Sequence, residues 1–279
     1  MAKIPNTQIG TLGDHDHGTN DLLTVPASPP FPPLPPWPDG SYYFFGDASE
    51  MMGNAHGGND VLIGIAGASF RMVECGDAMM MFDHTRGGND IIIGGAGGAN
   101  IPCGDACEIH DYARGGNDLL IGGNGANNTL VGDSCKMYDY GIGGNDVLIA
   151  GNGPGINNMF GDASLLMSGH ARGGNDTLIS GNSIDNMWGD CRTISGPDVT
   201  TGSDTFVFLQ GNNADRVNDF RQTDHDQIDV SAYGFDDITD LAISDLGSDT
   251  LIDFGGGNSV TLVGFADPSL LSATDFVFA

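Results

Sequence analysis

Residues 115–142 read GGNDLLIGGNGANNTLVGDSCKMYDYGI, and the order of turn and apolar residues within them decides the fold. Two short apolar runs lie between Gly/Asn turns, and a third, weaker one follows Gly132-Asp133. No apolar spacing of three and four persists, and Gly every few residues opposes a helix. Gly at the corners supplies left-handed backbone angles, and Leu or Ile at alternate positions supplies an inward face. The stretch therefore predicts one coil of short strands separated by tight corners.

The same coil recurs. Gly-Gly-Asn-Asp stands at 57–60, 87–90, 115–118, 143–146 and 173–176, and a degenerate copy, Gly18-Thr19-Asn20-Asp21, precedes them. Between them, Gly-Asp followed by a small residue returns with Asp47, Asp77, Asp105, Asp133, Asp162 and Asp190. A repeat of 28 to 30 residues with this content predicts an all-β chain wound as a right-handed parallel β-solenoid, β-roll-like, one coil per repeat. About six coils stacked at about 4.8 Å make a rod of roughly 30 Å.

Stacking sets equivalent residues above one another. Asp60, Asp90, Asp118, Asp146 and Asp176 then form one column, and Asp47, Asp77, Asp105, Asp133, Asp162 and Asp190 a second. Unit charges about 4.8 Å apart repel by about 1 kcal/mol in water and more in a lower dielectric, so both columns call for a neutralising cation. Oxygen ligands of high negative charge beside turn carbonyls suit Ca²⁺ rather than Zn²⁺, which prefers His and Cys. The plainer alternative has each Asp capping local turn N–H groups and facing solvent. Of the 37 acidic residues only Glu50, Glu74 and Glu108 are Glu, and Asp is the acid of turns and metal sites.

A net charge of −28 excludes unassisted binding to nucleic acid or an anionic membrane. The first 25 residues hold no apolar signal-peptide core and no apolar run reaches spanning length. Neither a cleaved signal peptide nor a transmembrane segment is therefore expected.

The repeats resemble those of the RTX (repeats-in-toxin) family, whose Gly-Gly-x-Gly-x-Asp-x-apolar-x nonapeptides wind a calcium-filled parallel β-roll. The match is best over Gly58-Asn59-Asp60-Val61-Leu62 and its four copies. The resemblance implies that Asp60, Asp90, Asp118, Asp146 and Asp176 hold Ca²⁺ together with backbone oxygens of Gly58, Gly88, Gly116, Gly144 and Gly174. The chain departs from the family in its longer period and in the Ala-Arg at 113–114 and 171–172 in place of the leading Gly-Gly. At the second turn Asn100, Asn128, Asn158 and Asn186 replace Asp, and a stacked Asn ladder can hold that corner by amide hydrogen bonds.

Residues 202–279 open with Gly202-Ser203-Asp204-Thr205-Phe206-Val207-Phe208 and end with Phe276-Val277-Phe278-Ala279. They are similar to the serralysin-like C-terminal region that caps RTX rolls and is read by type I secretion machinery. The chain accordingly divides into an N-terminal cap and degenerate first coil (1–56) with a Pro-rich excursion (26–38), the repeat solenoid (57–201), and a C-terminal cap and secretion region (202–279). The resemblance implies a secreted, extracellular bacterial protein with an uncleaved C-terminal export signal.

Aligning the segments after each Gly-Asp gives columns Phe82/His110/Tyr138, Asp83/Asp111/Asp139 and His84/Tyr112/Tyr140, flanked by Arg86, Arg114 and Arg172. These residue types serve proton abstraction and charge stabilisation in polysaccharide lyases and epimerases. His110, Tyr112 and Arg114 are the catalytic candidates, with His84 and Tyr140 expected beside His110 one coil away. A solvated face carrying ring ladders is the plainer reading. The column Met51, Met81, Ile109, Met137, Leu166 reads as core. Cys75 matches Cys103, and Cys107 matches Cys135, in adjacent coils; stacked parallel side chains disfavour disulfides, so buried free thiols are expected. Asp14-His15-Asp16-His17 is a weak transition-metal candidate near a terminus. The expected function is a secreted calcium-binding module, folding with several Ca²⁺ ions and acting structurally or on an extracellular polysaccharide or cell-surface partner. The competing expectation is a polysaccharide lyase or epimerase.

Overall fold

The computed structural model describes residues 11–24, 42–64, 66–67 and 71–279; the Pro-rich segment 26–38 lies outside them. Each coil gives one strand to each of three parallel sheets. Sheet 1 starts directly after Gly-Gly-Asn-Asp and stacks Leu22–Thr24, Val61–Ile63, Ile91–Ile93, Leu119–Ile121, Val147–Ile149, Thr177–Ile179, Thr205–Val207, Gln227–Asp229 and Phe276–Val277. Sheet 2 stacks Tyr42–Phe45, Arg71–Cys75, Ala99–Cys103, Asn127–Val131, Ile156–Phe160, Ile184–Trp188 and Ala214–Val217. Sheet 3 follows Gly-Asp and stacks Thr11–Leu12, Ala48–Met51, Ala78–Met81, Ala106–Ile109, Ser134–Met137, Ala163–Ser168 and Ile194–Ser195. A row of single parallel bridges through His17, His56, Arg86, Arg114, Ile142, Arg172 and Thr200 closes each coil.

The alternation expected of half-buried strands sorts the side chains. In sheet 1 the central residue points inward and is fully enclosed: Leu62, Ile92, Leu120, Leu148, Leu178, Phe206 and Ile228 form one core with Leu130, Met159, Met187 and Val217 of sheet 2. Sheet 3 builds a second core from Met51, Met81, Ile109, Met137 and Met167, together with Ala55, Ala113 and Ala171 near the bridge row. The coil thus has two lobes. Gly-Gly-Asn-Asp and Gly-Asp are the two links that carry the chain between them.

Two columns run through residues other than those the repeat count assigns. Between Ala163 and Leu166 the chain carries one residue more than between Ser134 and Lys136, absorbed as a register shift, so Met167 rather than Leu166 pairs with Met137. The turn before Ile156–Phe160 is also one residue longer, which places Asn157 and Asp185, not Asn158 and Asn186, behind Asn128. The inner amide ladder runs Asn100 Nδ2 to Asn128 Oδ1 (2.9 Å), Asn128 Nδ2 to Asn157 Oδ1 (2.6 Å) and Asn157 Nδ2 to Asp185 Oδ1 (2.6 Å). Asn158 and Asn186 pair separately, at 3.2 Å.

Stacking continues past both ends of the repeats, since Leu22–Thr24 pairs with Val61–Ile63 and Thr205–Val207 with Thr177–Ile179. In the C-terminal region the antiparallel ribbon Ala242–Asp245, Thr250–Gly255, Asn258–Leu262 joins sheet 2 through Ala214–Val217. Its Ile252, Phe254, Val260 and Leu262 enter the same core as the repeat leucines. This covers a parallel edge that would otherwise present unpaired N–H and C=O groups. Among the described residues no helix is long and apolar enough to cross a membrane.

Candidate metal centre

Within Gly-Gly-Asn-Asp the last two residues face opposite ways. The Asn side chains lie outside and each accepts the N–H of the Asn one coil on: Asn89 N to Asn59 Oδ1 is 2.9 Å, Asn117 N to Asn89 Oδ1 2.7 Å, Asn145 N to Asn117 Oδ1 2.6 Å. The Asp side chains turn inward and bond in the other direction, from Asp60 N to Asp90 Oδ1 (2.6 Å), Asp90 N to Asp118 Oδ1 (2.7 Å) and Asp118 N to Asp146 Oδ1 (2.7 Å). The Gly-Asp column also faces inward: Gly88 N donates to Asp77, Gly116 N to Asp105 Oδ1 (2.8 Å), Gly144 N to Asp133 Oδ1 (2.6 Å) and Gly174 N to Asp162 Oδ1 (2.6 Å). All eleven carboxylates of the two columns are buried, at most 3% exposed. Each therefore caps a backbone N–H, but none faces solvent.

The two columns line a single interior channel at the junction of the lobes. Burial raises Asp77 well above the usual carboxylate range, and repulsion from Asp90, Asp105 and Asp118 adds to it, which requires members of both columns to be near neighbours. Asp90, Asp118, Asp133, Asp146, Asp162 and Asp176 are likewise pushed up, first by burial. At the more open end Asp60 is raised to about 7. Asp47, Asp77 and Asp190 use both oxygens, but in the other aspartates of the two columns one oxygen holds the ladder while the other is left over. Oδ2 of Asp60, Asp90, Asp105, Asp118, Asp133, Asp146, Asp162, Asp176 and Asp204 is buried without a hydrogen-bond partner.

Backbone oxygens reach the same channel. Asp90 Oδ2 lies beside Gly104 O, Asp118 Oδ2 beside Gly132 O and Asp146 Oδ2 beside Gly161 O, close enough that a Cβ on Gly76, Gly104 or Gly132 would strike both atoms. These are the Gly-Asp glycines. The carbonyls of Gly58, Gly88, Gly116, Gly144 and Gly174 instead press on the α-carbon of the equivalent glycine one coil on. Among the described residues no three Asp, Glu, His or Cys side chains are gathered round one point. The donors form a continuous row, so an ion would sit between successive coils, held by their carboxylates and the Gly-Asp carbonyls. An all-oxygen, strongly negative donor set fits Ca²⁺. A buried carboxylate oxygen without a donor is costly unless a cation or proton meets it.

The channel is longer than the repeats. Asp21 N donates to Asp60 Oδ1 (2.5 Å), Asp176 N to Asp204 Oδ1 (2.9 Å) and Asp204 N to Asp226 Oδ1 (3.0 Å), so Asp204 and Asp226 extend the first column. Their signal in sequence is faint: Gly202-Ser203-Asp204 lacks the marker Asn, and Asp226 follows after 22 residues. At this end Arg221 Nη1 lies 3.0 Å from Asp190 Oδ2 and 3.5 Å from Asp224 Oδ2.

Among the described residues the second corner carries no carboxylate row of that length, only the buried pair Asp185 and Asp215 at its far end, where Asp185 N donates to Asp215 Oδ1 at 2.9 Å. At its head Glu74 takes the place beside Gly64 that Asn100 takes beside Gly94, and full burial pushes it to about 8.

The outer ring columns form as aligned. Phe82, His110 and Tyr138 stack at 4.9 and 4.7 Å, and His84, Tyr112, Tyr140 and His170 at 5.1, 4.8 and 4.6 Å. His110 does not neighbour His84 and Tyr140. Asp83, Asp111 and Asp139 take left-handed backbone angles (φ 55 to 58°), and the residues before and after them fall into different columns. His110 Nε2 is 3.2 Å from Glu108 Oε2, whereas Tyr112 and Arg114 line a cleft of about 510 Å³ with Asn54, His56, His84 and Arg86. At the N-terminal end His15 and Asp14 are exposed, 3.7 Å apart.

No family model matches the chain, and a search of curated proteins finds no match for it.

Proposed function

We propose that this chain is a calcium-binding solenoid of the RTX type that folds around a row of Ca²⁺ ions and serves outside the cell as a structural or interaction module. The observation that carries this reading is the line of nine buried carboxylate oxygens without a donor, those of Asp60, Asp90, Asp118, Asp146 and Asp176 lying beside glycine carbonyls. Burial lets protons neutralise part of the row up to about neutral pH, and as pH rises further a divalent oxygen-binding cation takes their place. Chelated protein at pH 8 should show weak β signal in far-ultraviolet circular dichroism, restored by millimolar Ca²⁺. Superimposable spectra with and without chelator would remove the calcium assignment. Export rests on the resemblance of residues 202–279 to a type I secretion region. Their deletion should abolish release through such an apparatus, and a truncated chain recovered outside the cells would end that part of the proposal.

A second reading, a lyase or epimerase acting on an acidic polysaccharide, draws on the cleft that brings His84, Tyr112, Arg86 and Arg114 together. It predicts release of unsaturated ends or epimerised units, lost in Tyr112→Phe and Arg114→Ala. We expect no turnover by any of the three proteins.

A further inference from the structure

Four of the five cysteines meet at one place. Cys75 and Cys103 stack in register at the end of sheet 2, and Cys107 and Cys135 occupy the second position of successive sheet 3 strands, flanked by the pairs Ala106/Ser134 and Glu108/Lys136. The Gly-Asp corner folds sheet 3 back, so the outward side chains of the two sheets share a groove. Across it Cys75 Sγ is 3.4 Å from Cys107 Sγ, and Cys103 Sγ is 4.0 Å from Cys135 Sγ. Cys75 and Cys103 are partners on adjacent strands, as are Cys107 and Cys135, so the four thiols form a square with two close sulfur pairs across the groove.

The repeat does not require thiols there. Equivalent positions carry Phe45, Val131, Phe160 and Trp188 in sheet 2, and Ser49, Met79 and Ser164 in sheet 3. Cysteine appears only in the adjacent rows that make the ring. Phe45, Val73, Ile101, Val131 and Phe160 pack with it in one apolar cluster. A groove of about 330 Å³, lined by Met79, Met80, Arg71, Glu108 and Lys136 among others, leads to Cys107 and Cys135.

We propose that Cys75, Cys103, Cys107 and Cys135 bind one zinc-class divalent ion as a tetrathiolate. A tetrahedral ion with Zn–S bonds of about 2.3 Å has S–S edges of about 3.8 Å, and the two observed separations bracket that length. In the metal-free ring the sulfurs do not converge on a common point, and loading would turn them inward with release of their protons. Zinc and calcium do not compete, because the channel offers oxygen and the ring offers sulfur.

The test uses the full-length, reduced, calcium-saturated protein titrated anaerobically with Co²⁺. One equivalent should produce the intense visible absorption of tetrahedral cobalt thiolate, bleached by one equivalent of Zn²⁺. Cys135→Ser and Cys107→Ser, each checked by circular dichroism for retained fold, should abolish the band, and Cys191→Ser should leave it unchanged. A reduced wild-type protein without the band would overturn the site, as would a Cys135→Ser variant with the wild-type spectrum. So would protein prepared without reductant that carries Cys75–Cys107 and Cys103–Cys135 disulfides and no zinc.

Discussion

The middle of the channel and its C-terminal end solve the same electrostatic problem differently. Around Asp118 the chain supplies no cation: Asp90, Asp105 and Asp133 are its neighbours, and an oxygen of each is buried without a partner. At Asp190 the chain supplies its own, because Arg221 reaches in from the C-terminal region and occupies the second carboxylate oxygen. Asp190 is accordingly absent from the row of orphaned oxygens and is raised only to about 6, whereas burial and neighbouring charge push Asp162 well beyond the carboxylate range. A positive group is what this channel accepts. Where the repeat continues, no basic side chain is among the groups acting on Asp118, Asp146 or Asp176, and on the proposed reading protons or Ca²⁺ from solution take that place.

The largest effect that could break this comparison is that of pH without metal. Folded-state values of the channel aspartates lie above the unfolded value of 3.8, reaching about 7 at Asp60 and Asp226. Stability from these groups is therefore full below about pH 4 and is lost as pH rises through about 7, the reverse of ordinary acid denaturation. Thermal melts in chelator should fall by about 20 °C or more between pH 5 and pH 8. Saturating Ca²⁺ should reverse the slope, since the ion favours the ionised form. A chelated protein that melts higher at pH 8 than at pH 5 would show that the channel carboxylates are not the weak point.

Next in size is Gly116→Ala. Its Cβ would run into Gly88 O, backbone against backbone, and about 4 kcal/mol or failure to stack is expected in denaturant titration. Gly125→Ala sharpens the contrast, because Gly125 has φ +66° with open space around it and should lose only about 1 kcal/mol. Arg221→Met tests the end of the channel directly. It leaves Asp190 without its partner and should cost about 2 kcal/mol in calcium-free buffer, less than a fully enclosed pair because Arg221 is part exposed. Ca²⁺ should restore more stability to this variant than to wild type, and equal gains would mean that a cation does not stand in for Arg221 at Asp190. The smallest effect, about 1 kcal/mol, is expected for Asp118→Asn, which keeps the acceptor for Asp90 N and removes one charge. Its sign carries the information: the variant should melt higher than wild type in chelator and lower in Ca²⁺.

Much of the site could be read in advance because stacking converts sequence period into spatial neighbourhood. Once Gly-Gly-Asn-Asp recurs every 28 or 30 residues, Asp90 has to lie between Asp60 and Asp118, and the ring ladder Tyr112/Tyr140 follows from the same count. Single-residue insertions defeated the count at Asn157 and Met167, since a strand that slips by one exchanges its inner and outer faces.

Sequence alone therefore determined the coil, its parallel stacking and the two aspartate columns, all of which are local patterns multiplied by a period. Only the tertiary structure decided that both columns are buried side by side, that Arg221 pairs with Asp190 at their end, and that Cys75 and Cys107 touch across a groove. Those facts depend on how the Gly-Asp corner folds sheet 3 back past sheet 2, bringing together residues 11 to 32 positions apart in the chain at angles that no repeat length encodes.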